Sequence, residues 1–247
     1  MINKIVELGY SEIEAKELIK VSSDIENDYN KLLNKYPIQY LIGYVNFYGY
    51  KICVNENVLI PRYETEYLVE KVLKYTKNKF DNPKVLDLCT GSGAIGISIA
   101  KNINSVVTES DISKLALEVA KKNAKLNEVD INFVESDLFE KIRDKYNIIV
   151  SNPPYVDYNE EVMDSVYKYE PHLALFANDN GLFFYKKILD NIKLHLEDKY
   201  FIAFEIGYTQ ASSIIDYANN IFNSVDIWSE KDLSGKDRYV FITNLTK

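Results

Sequence analysis

The sequence predicts an α/β, Rossmann-like fold: a seven-stranded sheet with its last two strands antiparallel, preceded by a short N-terminal helical segment and a β-hairpin linker. Three observations carry that expectation. From residue 84 on, short apolar runs at 85–89, 106–110, 131–135, 146–151 and 200–206 alternate with segments of helical spacing, the pattern of βα units in a mostly parallel sheet. Two further runs, 225–228 and 239–243, are joined by Ser234-Gly235-Lys236-Asp237, too short for a crossover helix, so that pair is expected to be antiparallel. Finally, 247 residues with 47% hydrophobic content can bury a large core as one big unit plus a small appendage.

Residues 1–36 read as the helical segment. Ser11-Glu12-Ile13-Glu14 is a capping box ahead of apolar positions Ala15, Leu18, Ile19 and Ile25. Ile25, Tyr29, Leu32, Leu33 and Tyr36 repeat at the spacing of a second amphipathic helix, which Pro37 ends. Residues 37–62 form the linker, where the aromatic and branched residues from Val45 to Val54 around Gly49 predict a hairpin. Residues 63–247 form the α/β domain, opening with a helix marked by Leu68, Val69, Val72 and Leu73. The run from Gly181 to Leu196 reads as a core-facing helix.

Composition narrows the function. No stretch approaches the ~20 apolar residues of a membrane span, and the first residues lack the apolar segment and cleavage site of a signal peptide. Cys53 and Cys89 suggest neither a disulfide framework nor metal spacing, so a cytoplasmic protein with no membrane partner is expected. His172 and His195 have no accompanying cluster at metal spacing, so no metal is expected, and a Gly-x-Ser-x-Gly element is absent. The formal charge is −8, from 29 basic and 37 acidic residues. The lysines near 71–79 and 121–122 alternate with Glu or Asn as solvated helix faces do. Charge therefore argues against nucleic acid as a direct partner without excluding it.

Val85-Leu86-Asp87-Leu88-Cys89-Thr90-Gly91-Ser92-Gly93-Ala94-Ile95-Gly96 reads as a strand, a tight loop and a helix start. Gly91 and Gly93 permit close approach of backbone to a ligand, and the helix start offers free N–H groups. The pattern Asp-x-x-x-Gly-x-Gly differs from the dinucleotide Gly-x-Gly-x-x-Gly and fits S-adenosylmethionine better, because that cofactor has no phosphate. Taken alone, it is also an ordinary strand-to-helix turn. Asp87 would orient the loop. A second acid at the end of the next strand would accept from ribose hydroxyls: Asp111, just before the capping Ser113, is preferred, with Glu109 as the alternative or a surface acid. After the third strand, Asp137 could take the adenine amine, or belong to a plain polar loop, and Leu138 could pack on the ring.

Asn152-Pro153-Pro154-Tyr155 follows the apolar strand 146–151. An amide nitrogen is a poor nucleophile because its lone pair is delocalised, so a catalyst must fix the –NH2 plane for in-line attack. The Asn152 side-chain oxygen and the Pro153 carbonyl can take its two hydrogens, Pro154 holds that carbonyl, and Tyr155 can pack on the substrate plane. Orientation and electrostatic complementarity suffice, with no strong base. The four residues together are the expected catalytic and substrate-binding loop.

With these motifs in this order, residues 37–245 resemble the release factor glutamine methyltransferases (HemK/PrmC family), whose fold is the seven-stranded sheet of methyltransferases that use S-adenosylmethionine. Pro37-Ile38-Gln39-Tyr40-Leu41-Ile42-Gly43 is similar to the family's linker motif, and Tyr169-Glu170-Pro171 and Phe204-Glu205-Ile206-Gly207-Tyr208 also match family patterns. Pro61-Arg62-Tyr63-Glu64-Thr65-Glu66 matches an element the family places against the cofactor pocket, which brings Arg62 and Thr65 to that site. The resemblance implies N5-methylation of the glutamine in the Gly-Gly-Gln loop of peptide chain release factors. It implies cofactor contacts at Cys89, Thr90, Gly91, Ser92, Gly93, Asp111, Leu138 and Asn152. A monomer is expected. Three departures stand out: Cys89 replaces the family's usual glycine, which is tolerable if its φ is not positive, and Tyr63 replaces a proline. The third is that about 36 residues precede Pro37, where the family usually carries a helical domain about twice as long, which bears on docking of the factor rather than on the chemistry. Rival readings are a ribosomal-protein glutamine methyltransferase, an adenine-N6 nucleic-acid methyltransferase and, in another class, a non-catalytic protein that binds S-adenosylmethionine.

Overall fold

A computed structural model describes residues 1–245, so the last two residues of the 63–247 span lie outside the described residues. In chain order the elements are α1 (Ile2–Glu7), α2 (Glu12–Val21), α3 (Ile25–Leu33), α4 (Ile38–Ile42), β1 (Tyr44–Phe47), β2 (Tyr50–Cys53) and α5 (Tyr63–Thr76). The alternating part follows as β3 (Lys84–Leu88), α6 (Ala94–Asn102), β4 (Val106–Asp111), α7 (Lys114–Leu126), β5 (Ile131–Glu135) and β6 (Tyr146–Ser151). A short pair, β7 (Val156–Asp157) and β8 (Phe176–Ala177), flanks α8 (Asp164–Tyr169). The chain closes with α9 (Phe183–Ile192), β9 (Leu196–Glu205), α10 (Ala211–Ile221), β10 (Asp226–Lys231) and β11 (Asp237–Thr243).

The main sheet has seven strands in the order β10-β11-β9-β6-β3-β4-β5. The five strands β5, β4, β3, β6 and β9 are parallel, and β11 is antiparallel to both β9 and β10, as the short final connection requires. The chain runs outward from β3 through β4 to β5, then crosses back to place β6 on the other side of β3. That reversal opens a crevice at the carboxyl ends of β3 and β6, where open α/β sheets bind ligands. The glycine loop follows β3 and the Asn-Pro-Pro-Tyr loop follows β6, so topology alone brings them together.

Alternation along the strands builds a core on each face. Leu86, Ile149, Ile202 and Phe204 pack with Tyr185, Ile188 and Leu189 of α9 and with Ile214 of α10. Val85, Val107, Ile148, Val150 and Phe201 pack on the other face with Leu68, Val69 and Val72 of α5 and with Ile95 and Ile99 of α6. Each fully buried aliphatic or Phe side chain contributes roughly 1.5–3 kcal/mol.

The N-terminal helices gather a separate small core of Ile5, Ala15, Leu18, Leu32 and Ile38. The capping box forms as expected: the Ser11 hydroxyl accepts from Glu14 N at 3.2 Å while Ser11 N donates to Glu14 Oε2 at 2.9 Å. Three details differ from the periodicity. Ile25 starts α3 rather than extending α2, because Asp24 caps a new helix by accepting from Asn27 N at 3.1 Å. Ile19 and Leu33 are 36% and 53% exposed, since these short helices bury only a narrow stripe against one another. Pro37 does not end α3; left-handed Lys35 does, with Tyr36 N donating to Lys31 O and Lys35 N to Leu32 O, a Schellman closure, and Pro37 instead caps α4.

The β1–β2 hairpin turns on Tyr48 and Gly49 with φ of 50° and 83°, the two positive values a tight right-twisted turn needs. Buried Asn123 on α7 ties this hairpin to the glycine loop. Its Oδ1 accepts from Cys53 N at 2.7 Å, and its Nδ2 donates to Cys53 O at 2.9 Å and to Ser92 O at 2.8 Å. Among the described residues, no helix is long and apolar enough to cross a membrane.

Candidate functional site

A cavity of about 320 Å³ sits at the crevice beyond β3 and β6. Of the residues singled out in the sequence, Arg62, Thr65, Cys89, Thr90, Gly91, Ser92, Asp111, Leu138, Asn152 and Pro154 line it. Gly93, Pro153 and Tyr155 adjoin these lining residues in the chain but are not part of the lining. Asp137 is part of the lining and lies 3.9 Å from the Lys187 ammonium.

The glycine loop is held from below. Asp87 is fully buried, and its Oδ2 accepts from the Thr90 hydroxyl at 2.6 Å and from Gly96 N at 2.9 Å. Burial pushes its acid up to about 7 despite those bonds. Asp111 holds the loop from the side: Oδ2 accepts from Gly91 N at 2.9 Å and Oδ1 from Ser113 N at 2.8 Å. The carboxylate also lines the cavity, where its remaining acceptor capacity is available to a ligand. Burial raises Asp111 above the usual carboxylate range, against the lowering by these backbone donors.

Glu109 is neither a surface acid nor part of the cavity lining. It pairs in register with Asp87, on the face of β4 that turns under α6. Its carboxyl fills the notch that Gly93 and Gly96 leave open: a Cβ at Gly96 would come within 2.5 Å of Oε1, and one at Gly93 within 2.8 Å of Oε2. Burial first, and the nearby Asp87 second, push its acid well above the ordinary range. The third glycine of the run is therefore a packing requirement. Cys89 is a second correction. Its φ is +63°, so the residue that replaces glycine does occupy the left-handed region, at a cost of roughly 1–2 kcal/mol. Leu138, also in the cavity wall, has φ +46°.

The Asn-Pro-Pro-Tyr loop is fastened at both ends. Before it, the Ser151 hydroxyl donates to Leu88 O at 2.6 Å, locking the end of β6 to the end of β3. After it, Gln210 Nε2 donates to Tyr155 O at 2.9 Å and to Asn180 O at 3.1 Å, and its Oε1 accepts from Gly207 N at 2.9 Å. Burial raises the Tyr155 phenol, which keeps it neutral. Asn152 Nδ2 lies 3.4 Å from Thr65 Oγ1, and the Thr65 hydroxyl donates to Glu205 Oε2 at 2.7 Å.

The rim is tied together by Glu170. Its buried carboxylate accepts from Ile60 N at 3.1 Å and pairs with the Arg62 guanidinium at 2.5 Å, joining the linker to the 171–174 turn. Sequence reasoning missed Leu173, Phe183, Phe184 and Lys187 in the lining. The inner face of α9 is core, as read, but the helix ends at Ile192 rather than at Leu196, which starts β9, and its first turn roofs the cavity. A signal was available: three consecutive aromatics, 183–185, are about 100° apart on a helix and cannot share one buried face.

Residues 64–169 match the family described as Methyltransferase small domain. A release factor glutamine methyltransferase of Lactococcus lactis subsp. lactis (strain IL1403) is 46% identical over 209 residues, covering 83% of this chain and 77% of the relative. One from Streptococcus pneumoniae (strain ATCC BAA-255 / R6) is 42% identical over 222 residues, covering 88% and 78%. Among solved structures, a ribosomal protein L11 methylase from Lactobacillus delbrueckii subsp. bulgaricus superposes with a TM-score of 0.56 at 21% identity, covering 73% of this chain and 79% of that one. A methyltransferase from Pyrococcus furiosus gives 0.59 at 18% identity, over 79% and 88%. At such identities the solved structures bear on the fold alone.

Proposed function

This chain belongs to the release factor glutamine methyltransferase family, and from that premise we propose that it methylates the side-chain amide nitrogen (N5) of the glutamine in the Gly-Gly-Gln motif of peptide chain release factors, using S-adenosylmethionine. The observation that carries this reading is the shared cavity. It places the Asp111-anchored glycine loop and Asn152 of the Asn-Pro-Pro-Tyr loop around one space.

The residues present fit the cofactor. Asp111 offers its carboxylate to a ribose diol, the loop from Cys89 to Gly93 offers backbone groups to the methionine end, and Leu138 offers an apolar wall to a purine. We assign Arg62 and Thr65 to the same wall. When bound, S-adenosylmethionine supplies a methyl carbon that leaves its sulfur as the new N–C bond forms, the C–S electron pair staying on sulfur.

The protein's part is orientation. Asn152 Oδ1 and the Pro153 carbonyl each accept one N–H of the substrate amide, which fixes its plane and aims its lone pair. As positive charge develops on the nitrogen, both bonds strengthen, so they favour the transition state over the ground state. The nitrogen then sheds a proton to water without a dedicated base. With a net charge of −8 and Leu173 and Phe183 exposed at the cavity, the substrate is a protein loop rather than a nucleic acid, and we place the enzyme in the cytoplasm as a monomer.

The test is methyl transfer from labelled S-adenosylmethionine to a purified full-length release factor, beside a control factor whose Gly-Gly-Gln glutamine is alanine. Label on the first and none on the second is the expected result. Equal label on both would put the methyl on another atom, and label on neither would point to a ribosomal protein, to nucleic acid or to a protein without turnover.

A further inference from the structure

Asn152 can do its work only with its carboxamide one way round. Its oxygen must face the substrate; turned over, it would present –NH2 to an –NH2 and accept nothing. Nothing in the Asn-Pro-Pro-Tyr tetrapeptide decides between the two orientations, because they have the same shape. The decision comes from the far side of the residue.

Glu205 ends β9, beside β6, and is 1% exposed. Its Oε2 accepts the Thr65 hydroxyl proton at 2.7 Å. Thr65 has then spent its only proton, so towards Asn152, 3.4 Å away, it can only accept. Asn152 is also close enough to the Glu205 carboxylate to help lower its acid. Thr65 Oγ1, its proton held by Glu205, thus faces this end of the carboxamide as an acceptor, and only –NH2 satisfies it. The oxygen is left on the cavity side. We propose that Glu205, acting through Thr65, is the positioning residue that sets the orientation of the Asn152 carboxamide. This rests on the methyl-transfer reading given above.

The arrangement holds while Glu205 is ionised. Burial pushes its acid up to about 7, while the Thr65 and Asn152 donors and the Arg238 charge on β11 lower it and Glu64 on α5 raises it. Tyr185 of α9 donates its hydroxyl to the Glu205 backbone carbonyl at 2.7 Å, and Tyr239 of β11 and Tyr155 are the remaining ionisable neighbours, both held neutral by burial. A protonated Glu205 carries an O–H that needs an acceptor, and with the proton on Oε2 that oxygen donates to Thr65. Thr65 Oγ1 then accepts from Glu205, its own hydroxyl hydrogen turns to Asn152, and the carboxamide oxygen is drawn away from the substrate.

The experiment compares wild type, Glu205→Gln, Glu205→Leu and Thr65→Ser in turnover on a full-length release factor between about pH 6 and pH 9, with cofactor affinity measured separately. Wild-type kcat is expected to fall about tenfold per pH unit below the Glu205 value. Glu205→Gln, which still accepts from Thr65 but cannot titrate, keeps turnover and loses that acidic limb. Glu205→Leu loses on the order of a hundredfold in kcat with cofactor affinity within about twofold, whereas Thr65→Ser, which keeps the hydroxyl, retains most turnover. A readout independent of activity is the Asn152 side-chain amide pair in a ¹⁵N spectrum, assigned by its loss in Asn152→Ala. It should move with pH near 7 in wild type and stay fixed in Glu205→Gln. An acidic limb unchanged in Glu205→Gln, or an amide pair indifferent to pH in wild type, overturns the inference. If wild type methylates no release factor, the functional reading falls, while the spectrum still judges Glu205.

Discussion

The two loops that form the site are both underlain by buried carboxylates, and they use them in opposite ways. Beneath the glycine loop, Asp87 leaves Oδ1 without a partner, and neither oxygen of Glu109 has one among the described residues. Both acids are raised, and Glu109 acts as a neutral wedge under Gly93 and Gly96. Beneath the catalytic loop and its rim, Glu205 and Glu170 are engaged by side-chain and backbone donors. In the first pair Asp87 bonds Thr90 and Gly96 through one oxygen and Glu109 fills space, and together they shape a backbone cradle. The second pair directs hydrogen bonds to side chains of the site. A cradle needs only its shape, whereas a catalytic amide needs a specified donor and acceptor end, and only an anchored charge imposes that polarity.

The contrast predicts effects of different kinds. The largest is Asn152→Ala, expected to lower kcat by about a thousandfold or more while leaving the melting temperature nearly unchanged, because it deletes an orienting acceptor and no core packing. Unchanged turnover would break the catalytic half of the comparison. Next, Asp111→Ala should weaken cofactor binding about ten- to a hundredfold by calorimetry, through loss of charge-assisted bonds to ligand and to Gly91. If Glu109→Ala does this and Asp111→Ala does not, the roles assigned to the two acids are reversed.

Glu109→Gln sharpens the idea of a neutral wedge through stability. The Glu109 acid is raised in the folded state, so the unfolded chain sheds the proton first, above its ordinary value of 4.5. Wild-type stability is therefore full below that pH and is lost as pH rises towards the folded value. The glutamine variant carries no such loss. At pH 8 its melting temperature should exceed wild type by at least about 3 °C, with the gap closing on acidification. A gap that widens on acidification would mean Glu109 is charged in the fold. The smallest effect is Cys89→Gly, expected to raise the melting temperature by about 1–3 °C by relieving the positive φ.

Much of this molecule was readable in order along the chain. The apolar runs that became β3, β4, β5, β6 and β9, the Ser11 capping box, the Gly49 turn and the Ser113 cap all depend on residues a few positions apart. Such features follow from local dihedral preference and side-chain period. The candidate site was readable as a set of residue types: a carboxylate after the second βα strand, glycines after the first, and an amide with two prolines after the fourth. Where local rules competed with packing, the reading failed. Pro37 looked like a stop, but α3 had already closed at Lys35, and Leu33 fits a helical stripe that has nothing to cover it.

By itself, then, the sequence determined the elements, their order and the residue types that line the candidate site, because each is encoded by neighbours within one or two turns. Tertiary structure alone decided that Glu109 lies under the glycines, that Cys89 is turned to positive φ, that Phe183 and Phe184 roof the cavity, and that Thr65 and Glu205 meet Asn152. Thr65 stands 140 residues from Glu205 and 87 from Asn152. Contacts across such separations exist only after the sheet has chosen its strand order, since no local preference carries information about which strands will lie side by side.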